Sequence, residues 1–251
     1  MPFTLSHAVL APPLSKLSKG HLPIAALAIG CMTPDLYRLL FKTEVHINHQ
    51  WQGILYPDLW VGLFFSLLWY ALYRPTIFNI LGIEHRIQIC HFYGMLTFII
   101  KICFAIIIGT ATHIIWDGLT HLDFRTFAFY EFLAQSVTIG QHTYPVHRVL
   151  QIGSSIIALP FLGWMCIQYF LKYRHPQVLS RQVKASAIAL FSISIACGFC
   201  SYSIRIQNAP AYVSTDLYEG IGFFVKTFTQ GATISFTLGC LIFLYLTRKR
   251  Q

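Results

Sequence analysis

Hydrophobic residues in this chain gather into five long runs that are separated by shorter polar connections. Each run is close to the length of about 20 residues that an α-helix needs to cross a bilayer. The pattern therefore predicts five transmembrane helices, over about 54–73, 92–117, 149–171, 183–204 and 221–246. A sixth apolar run, Leu22–Met32, is too short to span, which favours a re-entrant or interfacial helix, or one packed inside the bundle.

Composition strengthens the membrane interpretation. Of the 251 residues, 55% are hydrophobic and 11% are charged, whereas soluble domains carry about 25% charged residues. A soluble domain of this size could not bury so much apolar surface. The sequence thus excludes a soluble enzyme, a disordered chain and a secreted disulfide scaffold. It predicts an all-α polytopic bundle forming a single integral membrane domain over 1–251. Residues 1–57 are expected to form an N-terminal segment on the extracytoplasmic side, and residues 54–246 the transmembrane bundle.

Charge predicts an orientation. Nine Lys and Arg residues fall in or beside the connections 74–91 and 172–184 and the tail 247–251, and seven fall on the opposite side. Basic residues favour cytoplasmic loops, so we expect a cytoplasmic C-terminus. The same rule accounts for the net charge of +9, and no nucleic-acid partner is expected.

Acidic and histidine side chains are distributed far less evenly. Eight of the nine acidic residues and eight of the eleven histidines fall on the predicted extracytoplasmic side. Carboxylates contribute little to membrane orientation. This asymmetry indicates a cation site on that side.

The sharpest polar motif is THIIWDGLTH, at the outer end of the second predicted span. His113 and Asp117 are four residues apart and share one helical face, which His121 continues one turn later. An imidazole and a carboxylate at this spacing can both face one divalent ion. The alternative is a purely structural His–Asp pair, although a carboxylate this close to hydrocarbon requires a partner.

The N-terminal 57 residues supply three further candidates, His7, Asp35 and His49. Each alone has a simpler explanation, such as a turn after Pro34 for Asp35 or an interfacial position for His49. All lie on the same side of the predicted membrane as His113 and Asp117. Two carboxylates and three imidazoles suit Zn²⁺, with Mn²⁺ or Fe²⁺ as alternatives.

Five segments in one order carry a resemblance to a known family: MPFTLSHAVLAPPL, IGCMTPDLY, NHQWQGILYPDLWVGL, THIIWDGLTH and VLQIGSS. Together they resemble the bacterial membrane proteins of the family of unknown function 4184, over about residues 1–245. The chain is more distantly similar to inner-membrane metal-dependent hydrolases, and through them to zinc-dependent phospholipase C and the single-strand nucleases. The resemblance implies a multi-pass protein of the bacterial inner membrane.

The phospholipase pattern implies a set of metal ligands. The matching positions would be His7, Asp35, His49, His113 and Asp117, with Asp117 bridging two ions. Two departures favour one or two ions over three. The phospholipases ligate through a processed N-terminal amine, whereas this chain begins with Met1-Pro2 and no cleaved signal is predicted. The phospholipases also have a later His–x–x–x–Glu pair, which has no counterpart in this sequence. His121 or His46 would then complete the coordination.

The expected function is metal-dependent hydrolysis of phosphoesters of lipids or lipid-linked substrates, at the extracytoplasmic face. Asp35 is the expected general base as well as a ligand, and Arg38, Arg125 and Arg148 are candidates to hold a phosphate. The expected partners are the lipid bilayer and a lipid or lipid-linked phosphate substrate.

Two alternative functions stay open. One is an ion, proton or solute transporter using Lys101 and Lys226, and the other is a non-catalytic assembly partner with a vestigial metal site.

Overall fold

A computed structural model describes residues 4–41, 46–85, 87, 89, 91–175 and 180–248, without the side chains of Tyr212 and Ser214. The described chain is almost entirely helical, as the apolar runs predict. Five helical stretches are long and apolar enough to cross a membrane: Trp51–Leu81, Phe92–Thr120, Val146–Tyr173, Arg181–Ile206 and Leu217–Arg248. The protein is therefore an all-α, multi-pass membrane protein, and each helical stretch extends beyond the apolar run that predicted it.

The N-terminal part of the chain forms short helices followed by one longer helix. The 3₁₀ helix Thr4–Leu10 leads into α1 (Ala11–Leu17), and α2 follows over Ile24–Leu40. The helix α2 is longer than the run Leu22–Met32 that predicted it, and it packs along α5 (defined below) inside the fold. Of the three placements that the short run left open, this contact agrees with packing inside the bundle.

The first long stretch is helical but irregular. The 3₁₀ helix His46–His49 precedes it, and the stretch itself starts with the 3₁₀ helix Trp51–Gly53 and the π-helical turn Ile54–Asp58, which contains Pro57. Two α-helices, α3 (Leu59–Leu68) and α4 (Arg74–Leu81), flank a second π-helical turn, Trp69–Tyr73. Because proline has no N–H to donate, the regular ladder is interrupted at the start of the stretch.

The remaining elements follow in chain order: α5 (Phe92–Thr120), α6 (Tyr130–Ala134), β1 (Ser136–Ile139), β2 (His142–Pro145), α7 (Val146–Tyr173), α8 (Arg181–Ile206), α9 (Tyr212–Thr215) and α10 (Leu217–Arg248). The strands β1 and β2 form an exposed antiparallel hairpin that the hydrophobic pattern does not predict. Its two-residue turn starts at Gly140, whose φ of +64° suits a residue without a Cβ atom.

The chain divides into two compact units. We call residues 3–66 and 88–168 the histidine unit, since it contains every candidate metal ligand, and residues 67–87 and 169–251 the C-terminal unit. In the C-terminal unit, α8 and α10 pack along each other around a small core that includes Leu190, Cys240 and Phe243.

Within the histidine unit, α2 and α5 approach closely because glycines lie at their contact. A Cβ atom on Gly30 would lie 2.6 Å from the carbonyl oxygen of Ile106, and one on Gly109 would lie 2.6 Å from the carbonyl oxygen of Leu27. Small residues allow this approach of two backbones in membrane helices. The contact brings the end of α2 beside the last two turns of α5, where the candidate site lies.

Candidate metal centre

The last two turns of α5 supply the first two side chains of the site. Its i, i+4 spacing places His113 and Asp117 on one buried face, with His113 Nε2 lying 3.5 Å from Asp117 Oδ2. On the other side of its ring, His113 Nδ1 donates a hydrogen bond of 2.7 Å to the carbonyl oxygen of Cys31 in α2. With the proton on Nδ1, the lone pair of Nε2 faces the site.

Three other elements bring one side chain each to the same place. Asp35 comes from α2, His49 from the 3₁₀ helix His46–His49, and His7 from the 3₁₀ helix Thr4–Leu10. The His7 ring stacks on the His113 ring with 4.1 Å between centroids. Together with His113 and Asp117 these residues form what we call the ligand cluster, and every member is at most 6% exposed.

Distances within the ligand cluster are those of groups that face a common point. His7 Nε2 lies 3.7 Å from Asp117 Oδ1, and His49 Nε2 lies 3.3 Å from Asp35 Oδ1 and 3.8 Å from Asp117 Oδ2. Two overlapping sets, His7–His113–Asp117 and Asp35–His49–His113, each offer three ligand atoms within 4.8 Å of one another. The sequence-predicted ligands from positions 7 to 117 are thus brought together, with His113 shared by both sets.

Three polar atoms of the ligand cluster are buried and have no hydrogen-bond partner among the described residues: His7 Nδ1, His113 Nε2 and Asp117 Oδ1. Burying a polar atom without a partner is unfavourable. An imidazole nitrogen and a carboxylate oxygen are both ligands of transition-metal ions. A cation bound between His113 Nε2 and Asp117 Oδ1 would provide the missing partner for both.

Burial favours the neutral form of His7 and His49, the two imidazoles of the ligand cluster that lie outside the membrane-length helices. Burial lowers the pKa of His7 to about 3, and burial also lowers the pKa of His49, against the opposing effect of Asp35. A neutral imidazole is the form that ligates a metal. These side chains therefore need no deprotonation before they bind an ion at neutral pH.

His121 lies beside the ligand cluster, but both of its ring nitrogens have partners. Its Nδ1 donates to the carbonyl oxygen of Asp117 over 3.1 Å, and its Nε2 accepts from Gln151 Nε2 over 2.7 Å. Burial lowers the pKa of His121 to about 4. This arrangement favours a role in orienting Asp117 and α7 over direct ligation.

Arg125 supplies the positive charge next to the ligand cluster. Its Nη1 donates to Asp117 Oδ2 over 3.1 Å, while Nε and Nη2 donate to the two carboxylate oxygens of Asp123. The Asp123 hydrogen bonds and the charge of Asp117 outweigh the effect of burial and raise the pKa of Arg125. Of the two oxygens of Asp117, Oδ2 is therefore shared with Arg125 and Oδ1 is the open one.

The alternative ligand His46 lies at the surface, and one buried carboxylate was not predicted from the sequence. The exposed His46 packs edge-on against Phe124, and the exposed His142 lies on the β hairpin. Asp58 is fully buried in a turn that packs against α2 and α5, yet the sequence offered only a lone Asp after a proline at the start of a span. Only its burial in the folded chain sets it apart.

The fold and the site define a class: a multi-pass, helical membrane protein with a buried His/Asp cluster able to hold a metal ion. The chain belongs to the family described as Domain of unknown function (DUF4184), whose model matches residues 1–244. No curated protein and no solved structure gives a significant match.

Proposed function

We propose that this protein is a membrane-embedded, metal-dependent hydrolase that acts on phosphoesters of lipids or lipid-linked substrates. The observation that carries the proposal is the ligand cluster, in which five buried His and Asp side chains from four elements converge. Three of their polar atoms have no hydrogen-bond partner among the residues that the structure describes. Its donor set of three imidazoles and two carboxylates suits Zn²⁺ best, with Mn²⁺ or Fe²⁺ as alternatives.

The five residues would hold one or two ions. His113 and Asp117 belong to the core of the site, since His113 is part of both candidate sets and Asp117 Oδ1 is open. His7 completes one set, and Asp35 with His49 completes the other. When bound, such an ion lowers the pKa of a bound water and polarises a phosphoryl oxygen.

Asp35 is the residue we propose for proton transfer, beside its role as a ligand. Thr4 Oγ1 donates to Asp35 Oδ2 over 2.7 Å, which fixes the orientation of the carboxylate. Its other oxygen, Oδ1, faces His49 Nε2 inside the ligand cluster. A base held in this way is pre-oriented toward the reacting groups.

A phosphoester of a lipid is the substrate class that fits the position of the site. The ligand cluster lies at the C-terminal end of α5, a helix long and apolar enough to span the bilayer, so we place it at the level of lipid head groups. Arg125 lies beside Asp117, and we assign its guanidinium to the binding of a phosphate oxygen of the substrate. The resemblance of the His113–Asp117 spacing to the zinc-dependent phospholipases agrees with this choice.

Phosphodiester turnover by the zinc-loaded, detergent-purified protein tests the proposal. The substrates are bis-p-nitrophenyl phosphate and mixed micelles of phosphatidylglycerol, and the variant is His113→Ala. We expect a rate that falls at least about 100-fold in His113→Ala, because the metal that activates water is lost.

The matched control is His142→Ala, which removes an exposed histidine from the β hairpin and should keep the wild-type rate. Equal turnover by wild type and His113→Ala would reject the hydrolase. Zinc-loaded wild type without any turnover would instead favour the non-catalytic metal site that the sequence left open.

A further inference from the structure

Asp58 is a buried carboxylate outside the ligand cluster that has no assigned role. It is 0% exposed, and neither Oδ1 nor Oδ2 has a hydrogen-bond partner among the described residues. A buried charge without a partner is strongly unfavourable. Something other than a neighbouring side chain must therefore compensate this carboxylate.

The position of Asp58 identifies where that compensation lies. Asp58 ends the π-helical turn Ile54–Asp58, and this turn packs against α5, α2 and the 3₁₀ helix His46–His49. These elements carry His113, Asp35 and His49, one of the two candidate metal sets. The carboxylate of Asp58 also interacts electrostatically with the His113 ring.

Two forms of compensation are conceivable, a proton or a cation. A proton on Asp58 would neutralise this carboxylate alone and would leave His113 Nε2 without a partner among the described residues. A cation in the adjoining set would balance the carboxylate and also provide the partner that His113 Nε2 lacks. The guanidinium of Arg125 does not take this role, since it forms ion pairs with Asp117 and Asp123. The geometry therefore favours the cation.

We propose that Asp58 is a further carboxylate of the metal centre, whose charge strengthens the binding of the ion held by Asp35, His49 and His113. The inference rests on the metal of the proposed function but not on its hydrolytic chemistry. It adds a third carboxylate to the site and assigns the irregular π-helical turn a role, since π turns recur at functional sites.

The zinc dissociation constant of the full-length, detergent-purified protein, measured by competition with a chelator, tests this role. Asp58→Asn keeps the size of the side chain and removes its charge. We expect binding at least about 10-fold weaker than wild type, because a buried negative charge near the ion is lost. The metal-free variant should melt no lower than metal-free wild type, because an uncompensated charge has been removed.

Two further variants keep the test decisive. Asp58→Leu has the same branched shape and is apolar, although its methyl groups are larger than the carboxylate oxygens. It is the second variant if Asp58→Asn fails to fold, and the same loss of affinity is expected. Ser66→Ala is the matched control, because Ser66 is a buried polar residue further along the same stretch. Its hydroxyl also has no partner in the part of the chain that the structure describes. Its dissociation constant should equal that of wild type.

The outcomes separate this inference from the proposed function. Zinc binding by Asp58→Asn or Asp58→Leu within about twofold of wild type would overturn the role of Asp58 while leaving the hydrolase intact. Zinc-bound wild type without turnover would overturn the hydrolase alone. Wild type that holds no zinc would overturn both.

Discussion

At the scale of single residues, the site depends on which ring nitrogen of each histidine is already used. His113 Nδ1 donates to the carbonyl oxygen of Cys31, and its buried Nε2 has no hydrogen-bond partner among the described residues. Both ring nitrogens of His121 form hydrogen bonds, one with the carbonyl oxygen of Asp117 and one with Gln151. Two histidines on one helical face of the sequence thus have different chemistry in the fold.

This difference predicts unequal effects of replacing the two histidines. His121→Ala should weaken zinc binding about 10- to 100-fold but still bind at saturating metal, as expected for a residue that orients a ligand. His113→Ala should bind none, because it removes an atom that both candidate sets share. Zinc titration of the two purified variants, read as stoichiometry and dissociation constant, gives both quantities.

An equal loss of stoichiometry in the two variants would show that His121 is itself a ligand. In that case its hydrogen bond with Gln151 must break when the ion binds. The variant Gln151→Ala would then bind zinc at least as tightly as wild type.

At the scale of elements, the close contact of α2 and α5 positions the site. Gly30 and Gly109 allow the two backbones to meet, and this contact places the Cys31 carbonyl against His113. A Cβ atom on Gly109 would lie 2.7 Å from the backbone nitrogen of Cys31, the same residue whose carbonyl orients His113. Helix packing and ligand orientation are therefore coupled.

Gly109→Ala should consequently damage both stability and metal binding. Overpacking at a backbone contact costs about 1–3 kcal/mol, and the shift of α2 would displace the acceptor of His113 Nδ1. We expect a lower melting temperature in detergent and weaker zinc binding. Gly163→Ala in α7 is the control, because a Cβ atom there meets nothing within 4 Å. Gly109→Ala with the melting temperature and zinc affinity of that control would contradict the coupling.

The elements also show what the hydrophobic pattern can and cannot predict. The five spans follow from their apolar runs, since the hydrocarbon core fixes the length of a helix that crosses it. The full extent of α2 does not follow, because its last turns contain Thr33 and Asp35, which are buried against protein. The β hairpin was missed for a related reason, since its strands are short and exposed on both faces.

At the scale of the whole molecule, the histidine unit brings together residues more than a hundred positions apart. The pair His113–Asp117 could be predicted from helical periodicity. The approach of His7, Asp35 and His49 could be expected only from a shared side of the membrane and a family resemblance, because it depends on tertiary packing. The burial of Asp58 near the site was not predicted, because nothing in the neighbouring sequence distinguishes Asp58 from an ordinary turn residue.

The central claim is that the ligand cluster binds a metal ion, and elemental analysis of the detergent-purified full-length protein tests it most directly. Wild type and the exposed-residue control Glu131→Ala should each carry about one to two equivalents of zinc or a similar ion, and Asp117→Ala should carry none, because its open carboxylate oxygen is lost. Folded wild type without metal, or Asp117→Ala with the metal content of wild type, would contradict the account.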